Sequence, residues 1–485
     1  MDRKARIVAT IGPASQDREI LRKLMIAGLN VARLNFSHGT YAQHAQNIQT
    51  VRELSKELSL PIAILQDLQG PKIRIGEIPG GALEIAAGDK LRIDFTDQSD
   101  PATKPGAPSF TIPYPGLQQK LSPGGKVLLD DGNIEFVIQQ IDTKGIVVEV
   151  TLGGTLTSRK GFNLPGVDPG VPGFTDKDKQ DLQFGLQQGV DMVAISFVRT
   201  EVEVKAVRDE ITRLMPDKTP IPLIAKLERP EALDNLEAIL DVADGVMVAR
   251  GDLGVEMSPA AVPIAQKKII RAANFHSKPV ITATQMLDSM IHNPRPTRAE
   301  ATDVANAIFD GTDAVMLSGE TASGKYPVES VRMMDAIVCE AEKNYREWSL
   351  CEQDAESIDT TEDAIAMTRA ARELAHDRDV SAIAVFTHSG RTALLMSKAR
   401  PRVPILAFTP SERAYREMAL HWGVVPYLVP FADSVECMIQ TVDEIMVSRS
   451  PMQAGQQVVV ISGFPVAHRG KPNLALLHTI GEQHA

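Results

Sequence analysis

Cysteine is scarce in this chain. Its 485 residues hold three, Cys339, Cys351 and Cys437, odd in number and outside any metal-ligand or redox spacing. That excludes a disulfide scaffold and a thiolate metal centre, and a reduced, cytoplasmic protein is expected. Positive charge is also short: a net charge of -11 leaves no basic footprint for nucleic acid and disfavours polybasic docking on a membrane. No apolar run approaches the roughly 20 residues of a membrane helix. The chain enters a strand-like stretch at Ile7 to Ile11, so no secretory signal is expected. What is there, 43% hydrophobic and 23% charged residues, is ordinary globular composition, and the length predicts about three domains.

Short apolar strand candidates alternate with helical stretches, which predicts parallel sheet covered by helices. Up to Glu320 they begin near Ile7, Leu29, Ile62, Met192, Leu223, Gly245, Pro279 and Ala314. Each closes on small or polar residues, among them Thr10-Ile11-Gly12, Asp67, Ser196-Phe197, Gly251-Asp252 and Ser318-Gly319-Glu320. Eight such units are the pattern of a (β/α)8 TIM barrel. An open doubly wound sheet would also alternate, but polar i, i+2 pairs at many strand ends favour one shared mouth. Between the third and fourth strands the spacing breaks for an insertion from Gly70 to about Thr175. It is rich in Gly and Pro, alternates like antiparallel sheet, and carries a hairpin signal at Asp130-Asp131-Gly132-Asn133. A small β-barrel lid over the barrel mouth is expected. From near Thr360 a separate open-sheet α/β domain is expected. Its strands lie at Ala382 to Phe386, Pro404 to Phe408, Val424 to Val429 and Val458 to Ile461, after a helix at Thr361 to His376.

The densest chemistry lies in Ile224-Ala225-Lys226-Leu227-Glu228 and Ala249-Arg250-Gly251-Asp252. Residues i and i+2 of a strand share a face, so Lys226 and Glu228 point together. On neighbouring strands Glu228 and Asp252 can hold one divalent ion beside Lys226, a set suited to phosphoryl transfer or enolate chemistry. The plain alternative is a structural ion pair. Arg33, Asn35 and Ser37 share a face at the end of the second strand, where an inward Arg suits a phosphate or, alternatively, a carboxylate such as Asp67. Lys72 and Arg74 follow Asp67 on the way into the insertion and add cations to the mouth, unless they form a solvated hinge. Gly251 and Asp252 amides can bind a substrate oxygen. Thr282 and Thr284 hydroxyls can donate to a carboxylate or merely satisfy backbone, and Met286 and Met290 read as core. In the last domain, Thr387-His388-Ser389-Gly390-Arg391-Thr392 reads either as an anion cradle or as a capped turn.

Together these segments resemble pyruvate kinases over nearly the whole chain, in order. The resemblance is carried by ATIGPAS, VARLNFSHGT, KGFNLPG, PLIAKLERPEAL, VMVARGDLGVE, ITATQMLDSMIHNPRPTRAE, DAVMLSGETASGKYP and SGFP. It implies barrel domain A at residues 1–69 and 168–345, lid domain B at 70–167, and a regulatory α/β domain C at 346–485. It implies phosphoryl transfer from phosphoenolpyruvate to ADP, giving ATP, then protonation of the enolate. Glu228 and Asp252 would bind Mg²⁺, with a second Mg²⁺ arriving with nucleotide. Lys226 and Arg33 would stabilise the moving phosphoryl group. Gly251, Asp252 and Thr284 would seat the substrate carboxylate. Asn35, His38, Arg74 and Lys160 would lie near the nucleotide, and Thr284, Ser318 and Glu320 would relay the proton. A phosphorylated effector (a sugar phosphate or AMP in the family) would sit at Thr387, Ser389, Gly390, Arg391 and Thr392, and a homotetramer is implied.

One departure stands out. Many relatives hold K⁺ at positions equivalent to Asn35, Ser37, Asp67 and the backbone of Leu68, and typically have Thr-Lys-Gly-Pro-Glu after the aspartate. This chain has Leu68-Gln69-Gly70-Pro71-Lys72, so K⁺ is expected not to be required, with Lys72 as an internal cation. The alternative is that Lys72 points to solvent and K⁺ still binds. Two competing readings of the chain are a metal-dependent pyruvate-enolate aldolase, which would have little use for the lid, and a non-catalytic effector-binding protein.

Overall fold

The structure is a computed structural model that describes residues 3–78, 80–96, 109–168, 170, 172–216, 219–345, 362–450, 452–466 and 470–481. Cys351 and Thr361 lie outside the described residues, and Cys339 and Cys437 are free thiols.

Eight parallel strands close into a ring in chain order, the first bonded to the last: Arg6–Thr10, Val31–Asn35, Ala63–Asp67, Met192–Ile195, Leu223–Leu227, Gly245–Ala249, Val280–Ala283 and Ala314–Leu317. The alternation of side chains explains both layers. One set, including Ile7, Leu34, Ile64, Val193, Leu227, Val248 and Leu317, packs outward against the helices. The alternate set, including Val8, Val31, Leu65, Ala194, Ile224, Ala283 and Met316, fills the interior. Toward the C-terminal ends five of the inward series turn polar: Val8 leads to Thr10, Val31 to Arg33, Leu65 to Asp67, Ala194 to Ser196, and Ile224 to Lys226 and Glu228. Four of the helices start where sequence offers a threonine cap. Thr40, Thr175, Thr200 and Thr297 each form a reciprocal capping box with the residue three positions on.

The chain leaves the third strand through Gly70, whose φ of +67° and close approach to Ser196, 2.9 Å from where a Cβ would sit, admit only glycine. The insertion holds a two-stranded antiparallel sheet, Ala82–Ile85 with Gly154–Thr157, and a six-stranded sheet. The six run in the order Phe162–Asn163, Lys126–Leu129, Ile134–Ile141, Gly145–Leu152, Lys90–Phe95, Ser109–Ile112. Both sheets enclose one core, with Ile85, Ile93, Phe110, Phe136, Val148 and Leu156 in contact. The Asp130–Gly132 turn joins the expected hairpin. Only the last pair of the six is parallel.

The C-terminal sheet runs Val424–Leu428, Ile405–Thr409, Ala382–Phe386, Gln457–Ser462, Leu474–Thr479. Its first four strands are parallel, as expected from sequence, and the antiparallel edge strand was not foreseen. This domain closes the far end of the barrel: Ala419 and Leu420 join the barrel's interior core.

Candidate active site

The ring brings the polar strand ends to one mouth. Arg33 Nε donates to Asp67 Oδ2 at 2.7 Å, and another of its nitrogens donates to Thr10 Oγ1 at 2.8 Å. Arg33 is thus paired in the way that needs no ligand, yet its second terminal nitrogen has no partner among the described contacts. Lys226 Nζ lies 2.9 Å from Glu228 Oε1, 3.2 Å from Asp67 Oδ1 and 2.7 Å from Ser196 Oγ. Ser196 in turn donates to the Leu68 carbonyl at 2.8 Å. The Phe197 amide donates to Glu228 Oε2 at 2.6 Å. Sequence reasoning did not single out Ser196, Phe197 or Thr10 as site residues. Their one signal was a small or polar residue closing a strand.

Electrostatics follow from this burial. Burial pulls the Lys226 ammonium toward neutrality, but Asp67 and Glu228 outweigh it and its pKa is pushed up to about 12. Burial pushes Asp67 up, and Lys226 and Arg33 more than reverse that, leaving it below the usual carboxylate range. Glu228 stays above its ordinary value, through burial and the like charge of Asp252, despite Lys226.

Asp252 sits in the short helix Arg250–Glu256 that follows the sixth strand. Thr284 directly follows the seventh strand, and its Oγ1 accepts from the Gly251 amide at 2.7 Å. Gly251 and Thr284 therefore meet across the mouth. Thr284 and Gln285 have φ of 67° and 53°, costly for a β-branched residue. Glu320 is buried and accepts from the amides of Ser318 (2.7 Å) and Leu287 (3.1 Å), and burial raises its pKa. Ser318 Oγ is buried without a partner among the described residues. Met286 and Met290 are core.

On the lid side, Lys72 Nζ lies 3.2 Å from Asp252 Oδ1. It points into the mouth, not to solvent, and pairs there with the Asp252 carboxylate. Asn35 Oδ1 accepts from the Ser37 amide at 3.1 Å, a local turn. His38 is held below its ordinary pKa by burial and then by the positive charges of Arg74, Arg33 and Lys72. Arg74 donates to the Arg159 carbonyl at 3.1 Å, and Lys160 pairs with Asp130 at 2.5 Å within the lid. No described contact joins Lys160 to Asn35 or His38.

In the C-terminal domain, Thr387 Oγ1 accepts from the Gly390 amide at 3.0 Å and Ser389 Oγ from the Arg391 amide at 3.4 Å, opening the helix Arg391–Lys398. These hydroxyls cap the turn. Arg391 reaches Glu362 at 3.7 Å.

Glu228 and Asp252 fit a hard divalent cation. They are oxygen donors on adjoining units, and the negative charge of Asp252 raises the proton affinity of Glu228, an effect a cation would relieve. Among the described residues no cluster of three or more His, Cys, Asp or Glu side chains forms, so water and substrate would complete such a shell.

Comparison with known proteins agrees with this geometry. The family profile described as "Pyruvate kinase, barrel domain" matches residues 2–331, and "Pyruvate kinase, alpha/beta domain" matches residues 363–478. The pyruvate kinase of Geobacillus stearothermophilus is 44% identical over 99% of this chain and 81% of its own length. That of Mycobacterium tuberculosis is 42% identical over 99% of both chains. A crystal structure of a pyruvate kinase from Cryptosporidium parvum superposes with a TM-score of 0.90 at 35% identity, covering 99% of this chain and 96% of that one. The chain therefore belongs to the pyruvate kinase family.

Proposed function

We propose a specific set of roles for the residues of this mouth. The activity follows from the family: phosphoryl passes between phosphoenolpyruvate and ADP, giving pyruvate and ATP, and the family generally uses Mg²⁺ and often K⁺. The observation that carries the assignment is the protonated Lys226 ammonium, 2.9 Å from Glu228 on the unit next to Asp252. Bound at Glu228 and Asp252, Mg²⁺ would supply Lewis-acid stabilisation of oxygens gaining negative charge, a second ion entering with nucleotide. Lys226 turns its fixed charge from the carboxylates to the moving phosphoryl oxygens, and Arg33 offers its remaining N–H. The Asp252 amide seats the substrate carboxylate, joined by the Gly251 amide and the Thr284 hydroxyl as these exchange their bonds to Thr284 Oγ1 and the Ala283 carbonyl for the ligand. Thr284, Ser318 and Glu320 deliver the proton to the enolate carbon; the raised Glu320 pKa suits a group that holds a proton. Asn35, His38, Arg74 and Lys160 line the nucleotide side once the lid closes. In this reading the lid is 70–167, the barrel 1–69 and 168–345, and the regulatory domain 346–485.

A coupled assay with phosphoenolpyruvate, ADP and Mg²⁺ tests the activity. Equimolar pyruvate and ATP are expected, lost on chelation. Pyruvate released without ATP, or no turnover, would reject it. An aldolase or a non-catalytic binder would give neither product.

The K⁺-independent reading is supported by a tethered ammonium already in the mouth, where Lys72 lies 3.2 Å from Asp252. In tetramethylammonium buffer full activity is expected without K⁺, and Lys72→Glu should acquire a K⁺ requirement. Strong activation of the unaltered enzyme by KCl would overturn this. The effector reading is supported by the position of the Thr387 loop, after the strand Ala382–Phe386, beside the break in strand order where open sheets bind ligands. A homotetramer in the cytoplasm completes the proposal; among the described residues no helix is long and apolar enough to cross a membrane.

A further inference from the structure

We propose that Arg250 is a positioning residue, whose guanidinium holds Thr284 in the left-handed backbone conformation that sets its hydroxyl between the Gly251 amide and the Ala283 carbonyl, beside the substrate seat. This rests on the role given to Thr284 above. A β-branched residue at φ 67° followed by Gln285 at 53° persists only where surrounding contacts over-determine it. Two consecutive residues supply those contacts. The Gly251 amide takes the Thr284 hydroxyl at 2.7 Å. The Arg250 guanidinium takes the Thr284 carbonyl at 2.8 Å and the Ala283 carbonyl at 3.2 Å. Thr284 is thus gripped from its side chain and from both flanking peptide oxygens.

Arg250 is itself fixed from behind. It donates to Asp303 at 2.8 Å and to Gln266 Oε1 at 3.3 Å, and its side chain is 10% exposed. Asp303 belongs to the helix Arg298–Phe309, so one planar fork ties the end of the sixth strand to the end of the seventh and to the helix behind them. A guanidinium spans two adjacent carbonyls and a carboxylate together; a lysine ammonium in its place is a single point. The phosphoryl-facing cations Lys226 and Arg33 have no described contact with Arg250. Its loss should therefore fall on substrate seating and enolate protonation, not on nucleotide binding.

The test uses the full-length enzyme with Mg²⁺ and the variants Thr284→Ala, Arg250→Gln, Arg250→Lys and Asp303→Asn. Two quantities are read: KM for phosphoenolpyruvate against KM for ADP, and exchange of the pyruvate methyl protons with deuterated solvent, which reports protonation without phosphoryl transfer. Arg250→Gln should raise the phosphoenolpyruvate KM and slow exchange by roughly 10- to 100-fold, as a small misplacement at a reacting centre does, with the ADP KM within about twofold. Added guanidinium should restore part of the rate. Gln285→Gly in the Arg250→Gln background should restore part too, because glycine adopts this backbone freely. Arg250→Lys should recover little, and Asp303→Asn should show the same pattern in weaker form. Arg250→Gln leaving both readouts within twofold, while Thr284→Ala impairs them, would overturn this inference alone. A silent Thr284→Ala would instead overturn the role given to Thr284. If Arg250→Gln does not fold, Asp303→Asn decides, and its silence in both readouts overturns the proposal.

Discussion

Lys226 is a buried cation whose neighbours decide its charge. Burial alone would lower its pKa, and Asp67 and Glu228 carry it the other way, to about 12. A pKa raised above the unfolded value of 10.5 means stabilisation fully present below pH 10.5 and lost as pH climbs toward 12. Between neutral pH and pH 10 the ammonium is a fixed charge, so an alkaline fall in rate within that range belongs to another group. Lys226→Met should cut kcat at least roughly 10²-fold, the scale of losing one preorganised donor, with a smaller rise in KM. Steady-state kinetics check this, and unchanged turnover would remove Lys226 from the chemistry. The pairing of Lys226 with Glu228 was legible in sequence because strand alternation is local and dictates it. Ser196, the Phe197 amide and Arg250 were not, because ring closure supplies their partners from strands remote in the chain. Arg33 shows the limit of pattern: its inward face was readable, but whether Asp67 or a ligand neutralises it depended on the register that sets Asn35 opposite Asp67.

The seam between lid and barrel is the element most exposed to a single substitution. Asn163 of the lid donates to Glu256 Oε1 at 3.2 Å, Arg229 pairs with the same oxygen at 2.8 Å, and Arg229 also donates to the Val167 carbonyl at 3.2 Å. Glu256 lies one turn beyond Asp252 on the same short helix, so the lid docks on the element that carries the carboxylate proposed to bind metal. These residues border a cleft with Lys72, Phe162 and Phe197. Burial raises the Glu256 pKa and Arg229 opposes it. Arg229→Met should lower stability by about 3–5 kcal/mol by leaving a buried carboxylate without its cation, and Arg229→Met with Glu256→Leu should recover most of that. Thermal unfolding of the two variants measures the difference; a double variant no more stable than the single one would contradict it. Elements with strong local signals were legible: the Thr-capped helices, the eight strands and the Asp130 turn. The edge strand Leu474–Thr479 was not, since its Leu-Ala-Leu-Leu run carries helix-forming residues and becomes a strand only by pairing with Gln457–Ser462.

At the scale of the whole molecule, the far end of the barrel is joined to the C-terminal domain through buried ion pairs. Asp313, at the foot of the eighth strand, takes Lys398 at 2.5 Å and Arg400 at 2.9 Å. Asp191, before the fourth strand, takes Arg416 at 2.8 Å. Beside these pairs Glu417 carries an opposite bias. Burial raises its pKa from 4.5 to about 7, although Arg413 pairs with it at 2.5 Å, and Asp191 and Asp244 add to the rise. Arg413 also donates to the Pro220 carbonyl at 2.6 Å, so the group belongs to the junction. A carboxylate whose folded pKa lies above its unfolded value binds more protons folded than unfolded, so stability falls as pH rises through 4.5 to 7. Glutamine cannot ionise and carries no such decline. Glu417→Gln should therefore gain on the unaltered protein between pH 5 and pH 8, by up to about 3 kcal/mol across the window, whatever its offset at pH 5 from a weaker bond to Arg413. Urea midpoints of both proteins at the two pH values test it. A midpoint difference that does not change with pH would mean that Glu417 ionises as freely folded as unfolded.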